Sequence, residues 1–157
     1  MANDPNGVLQ WDIKKIAHAL KLRQDDVREY FTDGRRVSFI LERRIAREVL
    51  KGDVAKSECA GYDVIDLQGE KWEVRSVSQD GVYFCPSYMV GSGRSFNERG
   101  FFEKLDEIEG YILSDIEEFP KVPFWIITKD RVREWYDNGD LGKTTKISRK
   151  KFYQLLE

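Results

Sequence analysis

The chain has 157 residues, and its 26 Lys and Arg residues nearly balance its 28 Asp and Glu residues, giving a formal net charge of −2. This balance excludes a strongly basic coat, although the placement of the cations matters more for nucleic-acid binding than their sum. A single histidine and two cysteines argue against a histidine-rich metal site, a Ser–His–Asp triad and a disulfide framework. No apolar stretch approaches the ~20 residues of a membrane span. We therefore expect a cytoplasmic protein whose chemistry, if it is an enzyme, relies on carboxylates.

The N-terminal part has the periodicity of helices. Apolar residues recur at helical spacing over residues 12–21, and a second helix follows before a third helix over residues 37–50. The first two, IKKIAHALKL and RQDDVREYF, look like a helix-turn-helix. The basic residues that could touch phosphates there are Arg23, Arg28, Arg35 and Arg36. The alternative is a helical pair packed on the core, because Asp25, Asp26 and Glu29 would repel DNA.

After the third helix the pattern changes to that of strands. Residues 62–66 and 71–78 read as two strands, and the Gly-containing segment 67–70 reads as the hairpin turn between them. In the second strand, alternation puts Glu73 and Arg75 on one face and the intervening residues on the other.

The rest of the chain completes an α/β layout with a mixed sheet flanked by helices. The remaining predicted elements are, in chain order, a strand over residues 82–85, a polar loop over 86–97, a helix that ends near residue 116, an apolar strand over 122–128, a helix over 129–138, a small strand over 145–147 and a last helix capped by Ser148. We predict a core over residues 37–157 with a helical N-terminal extension over residues 1–36.

Two carboxylates flank the predicted hairpin. Folding there brings the strands of Asp63 and Glu73 about 5 Å apart. Two such acids can hold Mg²⁺, which usually keeps several waters and needs only one or two carboxylates. Arg75 projects from the same face as Glu73, where a cation can stabilise an anionic transition state. Asp66 is an alternative ligand, although its position suits an ordinary turn carboxylate.

This segment resembles the motif of the PD-(D/E)XK nuclease superfamily, especially type II restriction endonucleases. The matching residues are Asp63 and the run Glu73-Val74-Arg75, in which arginine replaces the family's lysine. The resemblance covers roughly residues 37–128. It implies a restriction-endonuclease-like fold and hydrolysis of phosphodiester bonds in double-stranded DNA by a homodimer that uses Mg²⁺, or Mn²⁺ in its place. Asp63 and Glu73 would hold the metal, and Arg75 would contact the scissile phosphate.

The helix before the motif and the loop after it supply further candidates. In this family the preceding helix often contributes another acid, and Glu42 and Glu48 lie about 60° on either side of its apolar stripe. Glu42 is preferred because it lies one turn nearer the helix start. In the loop, Arg94, Asn97 and Arg99 could contact DNA, since Arg can read guanine and Asn can read adenine. The alternative is a mobile surface loop.

Arg75 is the main departure from the family pattern. Arginine binds phosphate well but stays protonated, so it cannot act as a general base. A non-catalytic DNA-binding or regulatory protein that uses the helix-turn-helix therefore stays open, as does a protein-interaction module with a decayed nuclease fold. The carboxylates could also decorate the wet face of an ordinary strand.

Overall fold

The computed structural model describes residues 4–57 and 60–157, so Cys59 lies outside the described residues. Six strands form one mixed sheet in the order β1-β7-β6-β4-β3-β2, and two short strands, β5 and β8, form a separate antiparallel pair. The strands are β1 (Gly7–Gln10), β2 (Asp53–Val54), β3 (Val64–Ile65), β4 (Lys71–Val77), β5 (Val82–Tyr83), β6 (Gly110–Asp115), β7 (Lys121–Thr128) and β8 (Lys146–Ile147). The predicted α/β class with a mixed sheet is confirmed.

Helices cover the sheet. They are α1 (Ile13–Leu20), α2 (Gln24–Phe31), α3 (Gly34–Arg44), α4 (Glu98–Glu107), α5 (Lys129–Asp137) and α6 (Arg149–Leu156), with a π-helical turn (Ile45–Val49) after α3 and 3₁₀ turns at Ser87–Met89 and Ile116–Glu118. The predicted cap of the last helix is confirmed, since the Ser148 hydroxyl accepts from the Lys151 backbone N–H at 3.0 Å. None of the helices among the described residues is long and apolar enough to cross a membrane.

The motif strands form the predicted hairpin, with Val64 of β3 opposite Trp72 of β4. The alternation predicted for β4 is also confirmed, because Val74 packs in the core with α1, α2 and α3 while Val77 packs in the core with α4, α5 and α6. The sheet therefore separates two cores, and Glu73 lies on the side of Val77.

The helix predicted to end near residue 116 is wrong in its second half. α4 ends at Glu107, and Gly110–Asp115 is the strand β6, parallel to β4 and antiparallel to β7. Tyr111, Ile112 and Leu113 are fully buried. A strand that is covered on both faces has a continuous run of apolar residues in its sequence. Periodicity alone does not distinguish such a run from a segment of a buried helix. Gly110 marks the change, because a Cβ there would lie 2.2 Å from the Ile127 carbonyl oxygen.

The N-terminal segment contributes to the sheet as well as to the helical layer. β1, which the sequence analysis did not predict, pairs with β7, with Leu9 opposite Val122. Apolar residues of α1 and α2, including Val27 and Phe31, share one core with Val122 and Ile112 of the sheet. α3 begins at Gly34, so the predicted boundary after residue 36 falls inside this helix.

Candidate active site

An open cleft of about 1100 Å³ contains the residues of the predicted motif. It is lined by parts of α3, β4, β5 and α4 and by the 3₁₀ turn at Ser87–Met89. Glu42, Asp63, Glu73 and Arg75 all contribute to its lining. The fold thus brings together the four residues that the sequence predicted as the catalytic set.

Asp63 and Glu73 form a hydrogen-bonded carboxyl pair. The hairpin positions Asp63, since its backbone N–H donates to the Trp72 carbonyl at 3.0 Å and its Oδ2 accepts from the Val74 N–H at 2.9 Å. Glu73 is only 5% exposed. Burial, followed by the hydrogen bond with Glu73 and then by the charge of Glu73, raises the pKa of Asp63 to about 9. At neutral pH the pair therefore shares one proton, with Asp63 as the donor.

Lys104 is a site residue that the sequence analysis missed. From α4 it forms an ion pair with Glu73, and it also donates to the Gly61 carbonyl. Its side chain is 12% exposed. Burial raises the pKa of Glu73, but the hydrogen bond from Asp63 and the charges of Arg75 and Lys104 outweigh burial and lower it.

A signal for Lys104 exists in the sequence. Phe101, Lys104, Leu105 and Ile108 follow the i, i+3, i+4, i+7 spacing of one helix face. A lysine within an otherwise apolar stripe is seldom buried unless it is paired, so this position could have been singled out as one that needs an acidic partner.

Arg75 is fixed by contacts within the protein. Its guanidinium donates to the carbonyl oxygens of Tyr83 at 2.9 Å and Cys85 at 3.0 Å, and it lies 4.3 Å from the centroid of the Tyr83 ring. Burial lowers the pKa of Arg75, but the carboxylate of Glu73 more than compensates and holds it above its usual value. Only 8% of the residue is exposed, so Arg75 joins β4 to the segment after β5.

The two acids of the preceding helix lie in different places. Glu42 of α3 lines the cleft, and its charge contributes to the raised pKa of Asp63 after the effects of burial and Glu73. Glu48 is exposed and forms an ion pair with Arg44. Asp66 serves the turn, where it accepts from the backbone of Gln68 and Glu70 and from the Trp72 indole.

The predicted DNA-contacting residues are dispersed. Arg35 lines the cleft, whereas Arg36 lies near the carboxylate of Asp33 at 3.7 Å. The other three belong to α4 or to the loop before it: Asn97 caps α4, Arg99 pairs with Glu103 and Arg94 donates to the carbonyls of Ser87 and Val90.

The carboxyl pair fits a small two-ligand magnesium site. Its donors would be the carboxylate oxygens of Asp63 and Glu73, which already share a hydrogen bond. Mg²⁺ requires one or two carboxylates and keeps its remaining waters. Among the described residues, no three His, Cys, Asp or Glu side chains group closely enough to hold a metal.

Comparisons with known proteins add no relative to this picture. No protein-family model, no curated protein and no solved structure matches the chain significantly.

Proposed function

We propose that this protein is a metal-dependent nuclease that hydrolyses phosphodiester bonds in DNA, with Asp63 and Glu73 as the metal ligands. The observation that carries the proposal is the hydrogen-bonded carboxyl pair at the wall of a large cleft, in which Glu73 is buried and Asp63 is half-buried. Two like charges in contact oppose one another and disfavour the ionised state. Strongly shifted carboxyl groups of this kind in a cleft are typical of catalytic and metal sites.

The order of elements supports a restriction-endonuclease-like fold for this site. α3 precedes the hairpin of β3 and β4, and a strand, a helix, a strand and a closing helix (β5, α4, β7 and α6) follow it in that order. This is the order that the PD-(D/E)XK resemblance implies around its Asp and Glu motif residues. Glu42 of α3 supplies the acid expected from the preceding helix.

We assign the cation that contacts the substrate phosphate to Lys104 and not to Arg75. A lysine ammonium is a compact charge with three rotatable donors, so Lys104 can turn from Glu73 towards a phosphate oxygen. Arg75 keeps β4 in place through its two carbonyl contacts and adds positive charge through space. Bound Mg²⁺ would lower the pKa of a water molecule and stabilise charge on a phosphoryl oxygen.

A non-catalytic DNA-binding protein is the second candidate. It is favoured by Arg75, which stands where the family has lysine and whose hydrogen bonds go to backbone carbonyls. Under either candidate the ligand is DNA, and the homodimer remains a prediction.

Cleavage of circular DNA tests the nuclease proposal. Purified protein should nick or cut circular single-stranded or double-stranded DNA in Mg²⁺ or Mn²⁺ and be inert in EDTA. Asp63→Ala and Glu73→Ala should each abolish cleavage, because each removes a metal ligand. Glu48→Ala is the matched control, since Glu48 is an exposed acid outside the cleft.

Two results would count against this assignment. Metal-dependent cleavage that persists in the folded Asp63→Ala, Glu73→Ala double variant would remove these residues from the site. Inactivity of the wild type on both substrates would favour the non-catalytic candidate.

A further inference from the structure

Tyrosine side chains line the same cleft as the carboxyl pair. Tyr88, in the 3₁₀ turn Ser87–Met89, is 63% exposed, and the half-buried Tyr62 and Tyr83 line the same cleft. The ring of Tyr62 has the Lys71 ammonium 5.2 Å from its centroid, and the ring of Tyr83 has Arg75 at 4.3 Å. The cleft thus combines acids with aromatic rings that a flat, unsaturated ligand could contact.

The charge of the cleft is unsuited to a bare duplex. Its described lining contains four Lys or Arg residues but seven Asp or Glu residues. Two of the cations already have partners, because Lys104 pairs with Glu73 and Arg75 donates to backbone carbonyls. Arg35 and Lys146 are the exposed cations of the lining. A protein that holds duplex DNA by charge commonly makes about 6–10 phosphate contacts.

The shape of the cleft also favours a single strand over a duplex. Proteins that read a duplex insert a helix or a β-ribbon into its groove, whereas the carboxyl pair here lies in a concave cleft, with Glu73 only 5% exposed. In a duplex the faces of the bases are covered by their stacked neighbours. In a single strand each base offers a π-face to an aromatic side chain, and this stacking tolerates any sequence.

We propose that the DNA segment bound in this cleft is single-stranded, with Tyr88 and Tyr62 stacking on its bases and with Arg35 and Lys146 contacting its phosphates. This inference rests on the proposed function, and it narrows the substrate from DNA in general to a single strand, such as an overhang or a flap. Stacking replaces much of the affinity that a basic surface would otherwise supply.

Equilibrium binding tests the inference without relying on cleavage. The whole chain is titrated into a fluorescein-labelled oligonucleotide of about twelve nucleotides, either single-stranded or as a duplex of the same sequence, and fluorescence anisotropy is recorded. Ca²⁺ replaces Mg²⁺, and a gel checks that the DNA stays intact. We expect the single strand to bind at least tenfold more tightly than the duplex.

Three variants isolate the ring of Tyr88. Tyr88→Ala should weaken single-strand binding about five- to a hundredfold, the range expected for loss of one base-stacking contact. Tyr88→Phe keeps the ring and should bind within about twofold of the wild type. Phe39→Ala is the matched control, because Phe39 is 59% exposed on α3 but does not line the cleft. Tyr88 is exposed, so its variants should fold, and thermal melting verifies this.

The outcomes separate this inference from the nuclease proposal. Tighter binding to the duplex, no binding to either DNA, or equal effects of Tyr88→Ala and Phe39→Ala would overturn the single-strand inference. Tyr88-dependent binding of the single strand without any cleavage would support the inference and overturn the nuclease proposal. Cleavage of duplex DNA by a protein that shows no preference for the single strand would support the nuclease proposal and overturn the single-strand inference.

Discussion

At the residue scale, the proton shared by Asp63 and Glu73 is the main electrostatic feature of the site. Burial and the neighbouring carboxylate raise the pKa of Asp63 to about 9, while Glu73 keeps its charge through Asp63, Arg75 and Lys104. The two carboxyl groups of this hairpin therefore differ in ionisation, because the charges of Arg75 and Lys104 favour the ionised form of Glu73. Metal binding would have to displace this proton, which couples the site to pH.

The shifted pKa of Asp63 predicts how stability depends on pH without metal. A raised pKa in the folded state means that protonated Asp63 stabilises the fold below its unfolded pKa of about 4, and that this stabilisation is lost as pH rises towards 9. Asp63→Asn cannot titrate but can still donate to Glu73. We expect it to be more stable than the wild type at pH 8 by at least about 1 kcal/mol, a rise in Tm of about 2–4 °C.

The measurement is the Tm of both proteins in EDTA at pH 5 and pH 8. The gap between them should narrow at pH 5, because this pH is only about one unit above the unfolded pKa of Asp63 and ionisation then favours the unfolded wild type much less. Identical pH profiles for wild type and Asp63→Asn would contradict the shared proton. Glu48→Gln, a change at an exposed acid, should leave the profile unaltered.

Metal binding at Asp63 and Glu73 should become stronger as the pH rises. Since Mg²⁺ and the proton compete for the same oxygens, Mn²⁺ or Mg²⁺ should raise the Tm more at pH 8 than at pH 5. Glu73→Gln should abolish the metal-induced rise at both pH values. Thermal melting with and without 5–10 mM metal checks this, and a rise that is equal at the two pH values would argue against binding at Asp63 and Glu73.

Lys104 should be important to stability as well as to the chemistry. Lys104→Ala leaves Glu73 charged and largely buried, and removal of one partner from a buried pair typically costs about 3–5 kcal/mol. Adding Glu73→Gln should recover most of this loss, because the acceptor is then neutral. Arg99→Ala on the same helix is the matched control, since the exposed pair of Arg99 with Glu103 is worth only about 0–1 kcal/mol. Urea unfolding of five proteins, namely the wild type, Lys104→Ala, Glu73→Gln, the double variant and Arg99→Ala, measures these differences, and additive losses in the double variant would contradict the pairing.

At the element scale, β4 holds the site together because it borders both cores and carries Glu73 and Arg75. Arg75 joins β4 to the segment after β5, and the Cys85 N–H there donates to the hydroxyl of Thr145 at 2.8 Å. Thr145 is fully buried with φ of 63°, a left-handed conformation that is uncommon for a β-branched residue. The hydroxyl contact fixes this residue immediately before Lys146 of the cleft.

Variants at residue 75 distinguish a positioning role from a substrate contact. Arg75→Ala leaves the buried carbonyl of Cys85 and the partly buried carbonyl of Tyr83 without their donor, which should destabilise the fold by about 2–5 kcal/mol, since each unsatisfied buried group costs about 1–3 kcal/mol. Arg75→Lys keeps the charge and should lie between wild type and alanine in stability while retaining cleavage. Urea unfolding and single-turnover cleavage test this. If Arg75→Ala kept full stability but lost cleavage, Arg75 would have to contact the scissile phosphate and not merely position β4.

At the scale of the whole molecule, the N-terminal segment is part of the fold of the sheet. β1 pairs with β7, and Leu9, Val27 and Phe31 share a core with Val122. The cleft draws on α3 from one side of the sheet and on α4 from the other. Both layers must therefore be in place for the site to form.

Removal of the first 34 residues should unfold the protein. The shortened chain would lose the edge strand β1 and expose apolar surface of the sheet and α3 that β1, α1 and α2 cover. At about 25 cal/mol per Å² of apolar surface, even a few hundred Å² exceed the few kcal/mol that separate most domains from unfolding. Circular dichroism on heating tests this. A cooperative transition in the shortened chain would show that the first 34 residues are a dispensable extension.

The sequence by itself determined the features that depend on local contacts. Asp63 and Glu73 are only ten positions apart in the sequence. The alternation of polar and apolar residues and a Gly-containing turn were therefore enough to predict the hairpin that brings them together. The cap at Ser148 and the helical faces of α1 and α2 are local in the same way.

Tertiary structure decided what depends on distant partners. Lys104 lies about thirty residues from Glu73, and Arg75 finds its carbonyl acceptors only after β5 has folded back, so neither contact follows from periodicity. β6 is a strand because both of its faces are covered, and β1 joins the sheet through β7, more than a hundred residues away. Its apolar content left β6 compatible with a helix until burial on both faces made the strand the better arrangement.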